Sequence, residues 1–108
     1  MKIYLRNLTT FEWELKEGTL QKLKKELEDR KIIISETANI GDEANIGNYA
    51  NIGYKANIGN YANIGNYANI GDEVNIGYRT NIGYKANIGN YANIGDEVNI
   101  GNYANIGD

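Results

Sequence analysis

Ala38-Asn39-Ile40-Gly41-Asp42-Glu43, followed at once by Ala44-Asn45-Ile46-Gly47-Asn48-Tyr49, is the stretch whose reading decides the fold. The same sentence continues almost unbroken to Asn105-Ile106-Gly107-Asp108. Isoleucine stands at every sixth position from Ile34 to Ile106. A short fixed period is the signature of a solenoid, and a six-residue period points to a parallel β-helix.

Within each hexad, Ala-Asn-Ile alternates small apolar, polar and large apolar, the period-2 pattern of a short strand with Ala and Ile on one side. Gly and the two residues after it read as a corner. Gly lets the backbone bend, and Asn or Asp tolerates the left-handed conformation that some corners need. A helix is the rival, and it fails: one Gly per hexad costs roughly 1 kcal/mol relative to Ala, before β-branched Ile and Asn are counted.

The size of a coil follows from volume. Six residues at roughly 3.3 Å each span at most about 20 Å. A triangle of that side has an inradius of roughly 5 to 6 Å, the reach of an Ile side chain, whereas a square leaves a void that close-packed interiors do not tolerate. Three hexads per coil predict that residue i stacks on residue i+18. Residues 34–108 then make about four triangular coils.

These hexads resemble the hexapeptide-repeat proteins. Their motif is an aliphatic residue, Gly or another small residue, two free positions, a small residue and one more free position. Ile40-Gly41-Asp42-Glu43-Ala44-Asn45 fits it, as do the hexads through Asn105, and Ile34-Ser35-Glu36-Thr37-Ala38-Asn39 departs only at Ser35. The resemblance covers about two-thirds of the chain. It implies an all-β solenoid wound as a left-handed parallel β-helix; the handedness comes from the resemblance alone, because parallel crossovers are generally right-handed.

Residues 1–33 are different. Ile3 and Leu5 alternate within residues 2–6, and Phe11, Trp13 and Leu15 share one side of residues 10–15, so a β-hairpin is expected there. Thr19 is a candidate cap, and Leu20, Leu23 and Leu27 stand at helical spacing, predicting a helix over about 20–30. This α+β segment reads as an N-terminal cap (1–33) on a β-helix (34–108), covering the Ile layer and strand edges of the first coil, as solenoid ends require.

The 108 residues carry a net charge of −3, with no Cys and no His. Missing Cys removes disulfides and thiolate metal sites. Without an apolar signal core or a long apolar run, no membrane association and a cytoplasmic location are expected. Residues 34–108 hold three basic against eight acidic groups, a poor match for nucleic acid.

The resemblance implies trimeric acyltransferases with a His general base, or zinc enzymes with three His. With no His, neither is expected here, so the chain reads as not an enzyme, with no catalytic residues, cofactor or metal. Asp72 and Glu73 have the chemistry for acid–base work, but read as solvated corner charges. Stacking at i+18 sets Lys55 over Glu73 and Arg79 over Glu97 as expected opposite-charge pairs. Eight Tyr lie on corners, and the edge carrying Tyr49, Tyr67 and Tyr103, interrupted by Lys85, is the candidate partner-binding surface.

The expected function is a non-catalytic structural or scaffolding β-helix that works through self-assembly. The alternatives are a glycan- or protein-binding module using the Tyr-rich corners, and an acyltransferase-like enzyme, which the absent His disfavours. The sequence shows nothing after Asp108 to cover the last coil, so Ile94, Ile100, Ile106 and Asp108 form a candidate assembly edge. A homo-oligomer is expected, either a dimer through that C-terminal face or a side-by-side trimer.

Overall fold

Each Asn-Ile pair of the repeat becomes one short strand. The computed structural model describes residues 1–107. Two longer strands come first, β1 (Lys2–Arg6) and β2 (Trp13–Glu17), then a helix α1 (Lys24–Asp29). The solenoid strands follow as β3 (Ile33–Ile34), β4 (Asn39–Ile40), β5 (Ala44–Ile46), β6 (Asn51–Ile52), β7 (Asn57–Ile58), β8 (Asn63–Ile64) and β9 (Asn69–Ile70). β10 (Asn75–Ile76), β11 (Asn81–Ile82), β12 (Asn87–Ile88), β13 (Asn93–Ile94), β14 (Asn99–Ile100) and β15 (Asn105–Ile106) complete it.

Three sheets form the walls of a prism, ordered β14-β11-β8-β5-β1-β2, β13-β10-β7-β4 and β15-β12-β9-β6-β3. Within the solenoid the pairing is parallel, with Asn57 beside Asn75 and Ile82 beside Ile100. Partners in register are thus 18 residues apart, and the coil holds three hexads. The chain is a parallel β-helix of about four triangular coils. Ile52, Ile64, Ile70 and Ile88 point inward and are buried, with Ala50, Ala62, Ala68 and Ala86 beside them. Thr80 occupies one Ala position, and its hydroxyl donates to Gly95 O at 2.6 Å, so the buried oxygen is satisfied. On each wall Asn amides run from rung to rung, as from Asn57 Nδ2 to Asn75 Oδ1 at 2.9 Å.

The corners differ from expectation in one respect. Asn and Asp do not take the left-handed conformation; the residue after them does. Tyr61 (φ 62°), Arg79 (φ 56°) and Lys85 (φ 57°) are examples. The strain is held in place because the N–H of each such residue donates backward, to the coil before it, as from Tyr67 to Asn48 O at 2.9 Å, or, for Glu43 and Tyr49, to the cap. Asn or Asp at the first corner position instead reaches back: Asn60 Oδ1 accepts from the Asp42 N–H and Asp72 Oδ1 from the Tyr54 N–H, both at 2.9 Å. That reach needs the preceding corner to lie very close. A Cβ added to Gly59 would stand 2.6 Å from the carbonyl carbon of Gly77, so no side chain fits there.

The cap joins the solenoid through a shared sheet. β1 pairs in parallel with β5, setting Ile3 beside Ala44 and Leu5 beside Ile46, and it pairs antiparallel with β2. Ile3 and Leu5 are fully buried. β1 thereby supplies one further rung to a single wall. The apolar side read for residues 10–15 does not face that core: Phe11, Trp13 and Leu15 are exposed. The register explains it, because Tyr4 opposes Leu15 and Arg6 opposes Trp13, which puts Trp13 and Leu15 on the outer side of β1.

The helix is also shorter than the Leu spacing predicts. The Thr19 hydroxyl accepts from the Lys22 N–H at 3.1 Å and caps a turn that precedes α1, not α1 itself. Arg30, which the sequence did not single out, ties the helix to the hairpin. It is 5% exposed, and its guanidinium donates to Arg6 O at 2.7 Å and to the backbone and carboxylate of Glu26 at 2.8 Å.

Two stability outcomes follow. Gly59→Ala should cost about 3 kcal/mol, at the upper end of overpacking. Gly101→Ala, whose added Cβ meets nothing within 4 Å, should stay within about 0.5 kcal/mol in dilute solution. Equal effects in urea melts would contradict close stacking of the corners. Arg30→Met should cost about 2 kcal/mol by leaving Arg6 O and the Glu26 carboxylate without their donor, and a parent-like midpoint would remove Arg30 from that role.

Candidate interaction surfaces

The side chains that leave the solenoid do so mainly along its three corner edges. On one edge, Tyr49 and Tyr67 stack with centroids 4.5 Å apart and planes 4° from parallel. Lys85 comes next, its Nζ 5.7 Å from the Tyr67 centroid and 5.9 Å from that of Tyr103. The structure therefore brings Tyr49, Tyr67 and Tyr103 onto one continuous ridge.

It adds a member that the sequence reading passed over. Tyr84 lies 5.4 Å from Lys85 Nζ and meets Tyr67 and Tyr103 edge-on, at 5.9 and 5.5 Å. The signal was present: Tyr84 fills a first corner position, which on this edge is Asn at 48, 66 and 102. One ammonium thus sits among three phenol rings, each presenting electron density to the charge.

The second edge carries Glu43, Tyr61, Arg79 and Glu97. Arg79 lies over Tyr61 at 5.8 Å and Tyr78 at 5.2 Å. Glu43 accepts a hydrogen bond from the Tyr61 hydroxyl and places a negative charge beside it, and together these hold the Tyr61 pKa above the ordinary phenol value. On the third edge Lys55 lies over Tyr54 at 5.2 Å. The rung columns are as expected, but the ion pairs are not. Neither Lys55 with Glu73 nor Arg79 with Glu97 closes to an ion pair among the described residues. At exposed corners a salt bridge gains little, and each cation lies over a Tyr ring.

Asp72, the candidate acid–base group, has one carboxylate oxygen committed to the Tyr54 N–H. Among the described residues, no three His, Cys, Asp or Glu side chains gather where they could hold a metal ion. No helix among them is long and apolar enough to cross a membrane.

The candidate assembly edge lies on the last described coil. β13, β14 and β15 are each the outermost strand of a sheet, and Ile94, Ile100 and Ile106 are only partly buried. Interior coils donate upward, as from Gly77 N–H to Ile94 O and from Asn81 N–H to Val98 O, both at 2.9 Å. The matching donors of Asn93, Gly95, Asn99, Gly101, Asn105 and Gly107 have no such acceptor among the described residues. Asp108 lies outside the described residues.

No protein-family model matches the chain, and no curated protein sequence matches it. Among solved structures, the chain is similar to a mutant perosamine N-acetyltransferase from Caulobacter crescentus, crystallised with CoA and GDP-perosamine, at 18% identity and a TM-score of 0.44. The match covers 82% of this chain and 57% of the other, so this chain spans little more than half the length of its solved neighbour. The likeness is one of fold alone. The solved neighbour is an acetyltransferase, and the reading of this chain as not an enzyme, drawn only from its missing His, does not stand.

A double-mutant cycle checks the corner geometry. Arg79 and Tyr78 should show a favourable coupling of about 0.5 kcal/mol, and Arg79 and Glu97 no resolvable one. The reverse ranking would restore the ion pair.

Proposed function

We propose that this chain serves as a rigid scaffold that pairs with a second copy of itself through the face of its last described coil. One observation carries the reading. The last described coil offers upward the same row of N–H donors and the same glycine gaps that every interior coil offers to its successor. A Cβ added to Gly65 would stand 2.7 Å from Gly83 of the next coil, whereas one added to Gly101 or Gly107 meets nothing within 4 Å. Two such faces meeting about a two-fold axis give each wall edge a partner strand and bury Ile94, Ile100 and Ile106. Asp96 and Glu97 oppose this contact, because in a two-fold arrangement they approach their own copies.

A second reading keeps the Tyr ridge as the working surface, with a glycan or a protein as ligand. It is supported by the exposure of Tyr49, Tyr67 and Tyr103 beside the Lys85 ammonium. Rigid aromatic contact area of this kind costs little entropy on binding.

Adding a polar helical segment after Asp108 separates the readings. Under the first, the mass in solution halves across a concentration series. A capped chain that keeps the parent's mass at every concentration overturns it. A side-by-side trimer would show as a threefold mass that the added segment leaves intact.

A further inference from the structure

The other end of the long sheet presents a different edge. β2 is its outermost strand, opposite β14. Which backbone groups it turns outward follows from the register with β1. Met1 and Gly18 exchange two hydrogen bonds at 3.0 Å, and the Asn7 N–H donates to Glu12 O at 2.7 Å. In an antiparallel pair the hydrogen-bonded positions alternate, so Glu14 and Lys16 turn their N–H and C=O toward β1. Trp13, Leu15 and Glu17 turn theirs away from the sheet. Leu15 is 44% exposed and Trp13 37%, and the Arg6 guanidinium lies over the Trp13 ring at 4.6 Å.

We propose that β2 is a self-pairing edge: it takes the β2 of a second copy of this chain, antiparallel, about a two-fold axis through Leu15. That register joins outward-facing groups only. Leu15 pairs with its own copy, and Trp13 pairs with Glu17 of the partner subunit, as hydrogen-bonded positions. Glu14 then stands opposite Lys16 of the partner subunit, and Lys16 opposite Glu14 of the partner subunit. These are non-hydrogen-bonded positions, where side chains across a pair come closest.

Charge selects this register from its neighbours. Moving the axis one residue toward Glu14 still joins outward groups but sets Glu14 against Glu14. Moving it toward Lys16 sets Lys16 against Lys16. Only the register centred on Leu15 pairs opposite charges without setting a charge against its own copy. Natural edge strands are usually blunted by charge; here the charges alternate in sign and complement their own copy. Lys16 Nζ already lies 3.7 Å from Glu14 and 3.8 Å from Glu26, so the partner's carboxylate joins a cation that is in place on this face. The two Leu15 side chains and the flanking Trp13 rings make one apolar patch on the opposite face. The contact does not depend on the last coil, and it lies at the other end of the sheet.

The test uses Glu14→Lys and Lys16→Glu in the full chain, with and without the polar segment after Asp108, followed by sedimentation equilibrium. Each variant alone sets like charges opposite and should associate roughly tenfold more weakly, or worse, than the parent through this edge. An equimolar mixture of the two restores both opposite-charge pairs and should recover parent-like association as a heterodimer. Either variant alone associating like the parent overturns the proposal, as does a mixture no tighter than its components. Leu15→Pro is the independent check. It removes an outward N–H that β1 does not use, which an edge strand tolerates, so the variant should melt like the parent and lose the association. A folded Leu15→Pro chain that still pairs as the parent does also overturns it. Loss of association through β2 while the effect of the polar segment persists separates this contact from the one at the last coil.

Discussion

A coil can rest on the next only where no side chain stands between them. From Ile40 onward that requirement falls once per hexad, at the glycine after each isoleucine, whereas the first hexad carries Ser35. The carbonyl of Gly77 approaches Gly59 so closely that even a methyl group would force the two coils apart. Everything else in the solenoid depends on the approach. It allows the Asp72 carboxylate to reach the Tyr54 N–H and Asn60 to reach Asp42, so corner donors are satisfied by side chains from the following coil. It also brings the Asn amides into ladders along each wall, as from Asn69 to Asn87 at 2.9 Å.

The corners show how such a repeat tolerates variety. From Glu43 onward one residue per corner is held at positive φ, and Glu, Tyr, Lys and Arg all occupy that position. For an L-residue that conformation is uncommon. It persists because the N–H is bonded to the coil before it, or to the cap, and because the side chain is free to project outward. The outward projection then creates the three ridges. The same backbone constraint that closes the core therefore exports most of the aromatic and cationic chemistry to the surface. On the ridges, weak forces decide the arrangement. Exposed ion pairs and cation–ring contacts differ by only tenths of a kcal/mol, so Lys55, Arg79 and Lys85 settle over rings that share or adjoin their own corners.

The N-terminal cap obeys a different logic. It has no repeat, and it holds together through one buried guanidinium and one shared sheet. Arg30 satisfies a backbone carbonyl of the hairpin and the Glu26 side chain of the helix at once. β1 continues a wall of the solenoid, so the cap and the first coils are joined by ladder hydrogen bonds as well as by apolar contact.

The sequence by itself determined the period, the three-hexad coil, the inward Ile and Ala, and the placement of Tyr49, Tyr67 and Tyr103 on one edge. These follow from local geometry repeated without interruption: a two-residue alternation, a glycine bend, and an interior that only a triangle of Ile side chains fills. Tertiary structure decided the rest. The side of the hairpin that carries Trp13 and Leu15 faces outward because β1, with Ile3 and Leu5, took the core face first. The cations found Tyr rings, and Tyr84 closed around Lys85, because long side chains choose among several neighbours whose energies nearly match. Arg30 gave no periodic signal, since its partners lie 4 and 24 residues away and meet only when the cap folds. A repeat writes its contacts into its spacing; a single buried side chain acquires its contacts only from the fold around it.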